Sequence, residues 1–453
     1  MSARQQPLAG ADSFWFRAED TTNLMVINGF LVLEGRLDLD RLKAEVTRGL
    51  LEHDRFRRPV LCTDGVARWG SEEGFDPDAH FEQLHLPPPG GELGLKALMS
   101  DLVATPLAPD RPLWKVYLVD GHETGSVVVA RIHHCIADGI ALVQVLLSLA
   151  EEGGGPGTRA VPTAEGGLLE HALERVRHTV GHTQEVLHQG WRFMEHLSPS
   201  ELLRHGHDFG SALSKLTLMS SQDHPAFKGR LRAEKVVGWS APMSLEPIKA
   251  MGRKVDGKVN DVLLAMTAGA LRRYLERQGW SVGSGEVLRV TVPVNLRPLA
   301  EAHLLGNRFG LVFLHLPVHL AQVEARLEAV KREMDQIKAG AEALVSFGLM
   351  QAIGQVPAEV EAQLVDLFSR KASMILTNVP GPQRPLVFAG LPVRRLMFWV
   401  PQSGTISLGL SIISYAGEVT LGVTADRGLF PEPQVLADAM RQEHDHMAEV
   451  LGV

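Results

Sequence analysis

The chain reads as an α/β protein of mixed sheets covered by helices, and three observations predict that class. Strand-length apolar runs alternate with amphipathic helix patterns in both halves of the chain. The run 126–132, Ser-Val-Val-Val-Ala-Arg-Ile, has the density of a buried strand and passes straight into His133-His134-Cys135-Ile136-Ala137-Asp138-Gly139. The cluster Glu-Glu-Gly-Gly-Gly-Pro-Gly-Thr at 151–158 breaks every periodicity and divides the chain by composition. With 453 residues, 45% hydrophobic and 22% charged, there is material for two or three cores, and two domains is the best count.

Residues 23–34 read as a strand, and Asp38 opens a helix pattern through Leu42, Val46 and Leu50, so a βα unit begins the fold. A helix pattern over 91–104 and strands over 115–119 and 126–132 follow, and Ile140, Leu142, Val143, Val145, Leu146 and Leu149 mark a buried helix closing an N-terminal domain of residues 1–150. Residues 151–228 form a linker and a bridging segment. Within it Leu169, Leu173, Val176, Val180, Leu187, Trp191 and Met194 recur at helical steps, an amphipathic helix over 168–197 that packs between the domains or lies on lipid. His178 and His182 stand four apart on it, but without a third ligand they read as a solvated face. Residues 198–228 look irregular. The C-terminal domain, 229–453, carries helix patterns at 259–275, 323–337 and 433–450, with strands at 287–294, 311–316, 373–378, 395–400, 406–415 and 418–423.

A net charge of −8 argues against a nucleic-acid partner, which would call for a basic stripe. The sequence shows no secretory signal, and its apolar runs fall far short of the ~20 residues that cross a bilayer, so the expectation is a cytoplasmic protein, peripheral at most on the inner membrane or lipid inclusions. Two cysteines, Cys62 and Cys135, fit a reducing compartment.

The histidine pair carries the chemistry. Neutral imidazole takes a proton from a hydroxyl near pH 7 without extensive tuning. Neighbouring residues of an extended segment point to opposite faces, so His133 and His134 reach one reacting atom only if the chain turns; one is the base and the other structural. Asp138 is placed to lock the loop, by capping the next helix or by pairing with Arg131 or an arginine from another segment. Gly139 permits close backbone approach. The spacing lacks the i, i+4 face of a helical zinc site and no third ligand follows, so no metal is expected. Cys135 reads as packed rather than nucleophilic.

HHxxxDG is the signature of the CoA-dependent acyltransferase superfamily, and the surrounding blocks resemble the bacterial wax ester synthase/diacylglycerol acyltransferase family along nearly the whole chain. They are Leu8-Ala-Gly-Ala-Asp12-Ser-Phe14, Phe75-Asp76-Pro-Asp-Ala-His80, Arg111-Pro112-Leu113-Trp114, Val259-Asn260-Asp261-Val262-Leu263-Leu264-Ala265, Val292-Pro-Val-Asn-Leu296-Arg297, Gly306-Asn307-Arg308, Thr377-Asn378-Val379-Pro380-Gly381-Pro382 and Gly409-Leu-Ser411-Ile-Ile-Ser414-Tyr415-Ala-Gly417. Two departures stand out. Leu24-Met25-Val26-Ile27-Asn28-Gly29 replaces a Pro-Met-His-Val-Gly-like strand and lacks its histidine, and the NDVVLA block reads NDVLLA.

The resemblance implies two chloramphenicol-acetyltransferase-like domains with an active-site tunnel at their interface. It implies acyl-CoA as co-substrate with no bound cofactor, a long-chain alcohol or diacylglycerol as acceptor, and contact with a membrane or lipid-droplet surface. By analogy His134 is the general base, Gly139 lines the tunnel floor, Asp138 is structural, and Asn260 donates to or positions the substrate, against the plainer reading of a helix N-cap. Arg297 could pair with Asp138 or a CoA phosphate. The rival readings are a same-superfamily acyltransferase or condensation enzyme with another acceptor, and a non-catalytic lipid-surface binding protein.

Overall fold

The computed structural model describes residues 6–139, 142, 149–152, 218–297, 305–339 and 342–453. Most of the helix expected after Gly139, the linker beyond residue 152, the amphipathic helix over 168–197 with His178 and His182, and the segment 198–217 lie outside the described residues.

Two large mixed sheets organise the chain. In spatial order the first holds Phe81–His85, Trp114–His122, Gly125–His133, Val26–Leu33, Leu391–Trp399, Leu386–Phe388 and Ala150–Glu152. The second runs Phe309–Leu316, Leu288–Asn295, Met374–Pro380, Leu408–Tyr415, Glu418–Asp426 and Lys235–Trp239, with Met243–Ser244 beside Glu418–Asp426. Both contain parallel and antiparallel pairs.

Val26–Leu33 is central and buried on both faces, which explains its nearly continuous apolar run. Ile27, Leu31 and Leu33 share a core with Leu42, Val46 and Leu50, one stripe of helix Leu39–Leu50. Asp38 caps that helix, its Oδ1 accepting the Arg41 N–H at 2.8 Å. Phe30 and Val32 face the other way, into a cluster with Trp239 and Trp399.

Leu391–Trp399 pairs antiparallel with Val26–Leu33, so a strand from beyond residue 229 completes the sheet of the first half. Sequence position alone assigns it to the second. Its apolar side chains suit either sheet, whereas its partner is fixed by the otherwise open edge of Val26–Leu33. Glu92, in the first turn of helix Gly91–Val103, reinforces the join. Its carboxylate takes two bonds from Arg395, at 2.9 and 2.7 Å, and a third from the Trp239 indole.

In the second half, helix Val259–Arg277 is enclosed through most of its length. Gly269 lets the closing helix Pro433–Leu451 approach, because a Cβ there would lie 2.4 Å from the Glu443 carboxyl. Glu443 pairs with both Arg326 and Arg273, so its buried carboxylate is compensated where the helices meet. No helix among the described residues is long and apolar enough to cross a membrane.

A fragment ending at residue 228 loses strands 386–399 and exposes the hydrophobic edge of Val26–Leu33. Expressed alone it should aggregate or show no cooperative urea transition, whereas the full chain should unfold with coincident circular dichroism and tryptophan fluorescence curves.

Candidate active site

The histidine strand Gly125–His133 ends where the chain turns. The His133 N–H bonds to Leu113 O at 2.9 Å, the His134 N–H to Met25 O at 2.7 Å, and the Ile136 N–H closes back on His133 O at 3.0 Å. The adjacent histidines therefore meet different surroundings. The Cys135 N–H donates to His133 Nδ1 at 3.1 Å, so the His133 proton sits on Nε2, which faces Glu19 Oε2 at 3.2 Å. Burial raises the Glu19 carboxyl, but His133 and the Met25 N–H outweigh it and hold the pKa below the ordinary value. Both His133 nitrogens are engaged, which leaves neither to take a substrate proton.

His134 stacks on Trp15 with ring centroids 4.4 Å apart, beside Phe309. Its Nδ1 lies 2.8 Å from Asn307 Oδ1. The Asn307 orientation follows from its other end, where Nδ2 donates to Asp12 Oδ1 at 2.9 Å and to His134 O at 2.7 Å. Oδ1 must then accept, which places the imidazole proton on Nδ1 and leaves the Nε2 lone pair able to accept a proton. Burial pushes the His134 pKa down to about 4, and the Asp138 charge offsets this only in part. The ring is neutral at pH 7.

Asp12, on helix Gly10–Arg17, also accepts the Asn307 backbone N–H at 3.0 Å and meets Arg55 Nη1 at 2.9 Å. Burial raises its pKa, with Arg55 and Asn307 opposing. Arg55 continues to Ile136 O at 2.9 Å, tying the turn to the same network.

Asp138 pairs with Arg297, Nη2 to Oδ2 2.6 Å, and accepts the Arg308 N–H at 3.1 Å. Arg131 is committed elsewhere, to Asn28 Oδ1 and Thr105 O. A Cβ added to Gly139 would meet no atom of the described residues within 4 Å. Asn260 lies inside the first turn of its helix rather than at the N-cap, which is Lys258, and its Oδ1 accepts from Asn378 Nδ2 at 2.9 Å. Cys135 is buried and its thiol is pushed well up by burial, which removes the thiolate a nucleophile needs.

Asp12 and Asn307 stand in blocks that carry the family resemblance, but spacing could not reveal their contact with His134. Trp15 and Glu19 follow the first of those blocks closely without belonging to it, and Arg55 stands near none.

Residues 8–263 match the wax ester synthase/diacylglycerol acyltransferase catalytic domain, and residues 305–448 match the C-terminal domain of the same family. The chain belongs to that family. It is an acyltransferase. It is 28% identical to a putative diacylglycerol O-acyltransferase of Mycobacterium bovis, with 97% of this chain and 90% of the relative covered. A probable diacylglycerol O-acyltransferase of Mycobacterium tuberculosis is 26% identical, covering 98% and 96%. Among solved structures, the wax ester synthase/diacylglycerol acyltransferase from Marinobacter aquaeolei VT8 superposes with a TM-score of 0.70 at 19% identity, covering 99% of this chain and 100% of that one. The first condensation domain of the calcium-dependent antibiotic synthetase gives 0.65 at 16%, covering 100% and 97%. These two likenesses speak to fold, and they agree with paired α/β halves.

Asp138→Ala should cost about 3–5 kcal/mol in urea unfolding, because it strands the buried Arg297 guanidinium, and should lower the rate as well. Only neutral imidazole accepts a proton, so the wild-type acid limb of kcat/KM should fall near pH 4. Asn307→Ala should lower kcat/KM roughly 10²-fold by releasing the ring from one orientation. Asn307→Asp should move the acid limb upward, since a carboxylate at Nδ1 favours imidazolium; pH–rate profiles check both.

Proposed function

We propose that this protein moves a long-chain acyl group from acyl-CoA to the hydroxyl of a long-chain alcohol or a diacylglycerol, with His134 as general base. The observation that carries the reading is the buried, neutral His134 whose Nδ1–H is held by Asn307. The acceptor hydroxyl gives its proton to Nε2 as its oxygen attacks the thioester carbonyl carbon. Collapse of the tetrahedral adduct breaks the C–S bond, and the imidazolium returns the proton to the CoA thiolate, giving ester and free CoA. Positioned proton transfer of this kind contributes ~10²–10⁴-fold. Acyl-CoA enters as co-substrate, with no bound cofactor. Both substrates are lipids, which supports peripheral contact with a membrane or lipid inclusion.

The test is free-CoA release from palmitoyl-CoA with hexadecanol or dipalmitoylglycerol, with chromatography of the lipid product. Acceptor-dependent ester should form, and His134→Ala should lose at least ~10²-fold of turnover while keeping its fold and acyl-CoA binding. Equal activity in the variant would sink the mechanism. A folded wild type that makes no ester with either acceptor would point to another acceptor class or to a binding protein without turnover.

A further inference from the structure

The short helical turn Asp54–Phe56 puts a cation at the meeting point of the segments that orient His134. Phe56 is fully buried, and its carbonyl accepts the Trp114 indole N–H at 2.8 Å, which fixes the turn against the first sheet. Arg55 lies beside it, its guanidinium carbon 5.2 Å from the centroid of the Trp69 ring. From there Nη1 donates to Ile136 O in the histidine turn at 2.9 Å and stands 2.9 Å from Asp12 Oδ2 on helix Gly10–Arg17. Gly306 brings the third segment close. A Cβ there would lie 3.2 Å from Arg55 Nη2, and its φ of +109° suits glycine.

Asp12 divides its carboxylate between two partners. Oδ1 accepts both Asn307 bonds, at 3.0 and 2.9 Å. Oδ2 has no hydrogen bond among the described residues, so Arg55 meets it as a charge rather than as an aligned donor. The Asp12 side chain is only 2% exposed, and the charge acting on it is that of Arg55. The histidine turn contributes the Cys135 thiol, whose pKa burial and then the Asp12 charge push up. Helix Glu342–Ile353 meets helix Gly10–Arg17 through the neutral Gln351 amide, and His134, beyond Asn307, faces Asp138 and His133.

We infer that Arg55 is a positioning residue: it keeps Asp12 anionic, so that Asp12 grips the Asn307 amide and Asn307 presents its carbonyl to His134. The inference rests on His134 as the general base proposed above. A buried carboxylate holds its charge only against a compensating one. Burial pushes the Asp12 pKa up, and Arg55 is first among the groups that oppose it. Without that cation the network takes up a proton, either on Asp12, which weakens its bonds to Asn307, or on His134, which removes the base. The apparent pKa then belongs to the coupled groups, and both routes have the same sign. Arg55 governs the ring at one remove while anchoring the turn that carries it.

Arg55→Met removes the charge and keeps much of the length. Two readouts apply: the acid limb of kcat/KM with palmitoyl-CoA and hexadecanol, and the melting temperature relative to wild type from pH 5 to pH 8. The limb should move up from near pH 4 by about one to three units. At pH 7, kcat/KM should fall roughly 10–10²-fold. The folded variant holds a proton that folded wild type lacks, so its melting deficit should grow as pH rises. Lost packing alone gives a deficit that does not change with pH. Arg55→Lys retains the charge and should keep the wild-type limb. The double variant Asp12→Asn/Arg55→Met carries neither charge, and should return the limb to near pH 4 and level the melting deficit. A wild-type limb in Arg55→Met with a pH-independent deficit would overturn the inference, as would a limb that stays raised in the double variant. If the wild type forms no ester with hexadecanol or dipalmitoylglycerol, the general-base reading fails, and the melting comparison still decides whether Arg55 holds the charge of Asp12.

Discussion

The ion pair between Asp138 and Arg297 makes one site out of two distant stretches of chain. Both partners are buried, 159 residues apart, and each takes one further bond, the Arg308 N–H on the carboxylate and Gly306 O on the guanidinium. A buried pair is favourable only when such additional bonds offset its desolvation. Here they also set position. Ala137 bridges to Gly306, so Asn307 is delivered to the His134 ring by the backbone rather than by a long side chain searching for it. The pair and the Asp12 bonds together hold Asn307 against the His134 ring.

The charges around His134 are arranged so that none reaches it directly. Asp12 meets Arg55 and Asn307, Glu19 meets His133, and Asp138 meets Arg297. The group touching His134 Nδ1 is the neutral amide of Asn307. Asn307 thus passes on the orientation imposed by Asp12 without passing on its charge, and burial decides the ionisation of the ring. For the proposed acyl transfer, a weakly basic imidazole suits a thioester donor. Thiolate departs readily and needs only a modest acid to reprotonate it, so the low imidazole pKa does not hinder the second half of the reaction.

What the sequence made legible was local. The strand leading into HHxxxDG, the different surroundings of adjacent histidines, the Asp38 cap and the long helix near residue 260 follow from neighbouring side chains and periodicity. The partner of Asp138 stayed open because an arginine 159 residues away leaves no trace in local pattern. The bonds from Asn307 to Asp12 were invisible for the same reason, even though both residues stood in recognisable blocks. Leu391–Trp399 was legible as a strand but not as a member of the first sheet. A strand buried in either sheet carries the same apolar run, and only the register with Val26–Leu33 assigns it.

That shared strand constrains how substrates arrive. Two domains joined by a linker ordinarily move relative to one another unless a large apolar interface prevents it. Here Leu391–Trp399 is hydrogen-bonded into the first sheet while Trp399 packs against Trp239 of the second, and Glu92 grips Arg395 and Trp239 together. Swinging the halves apart would break a backbone ladder and bare a cluster of aromatic rings. Access to His134 must therefore be compatible with a fixed contact between the halves. The same rigidity keeps Asn307 on the His134 ring, so the features that join the halves also fix the orientation of the imidazole.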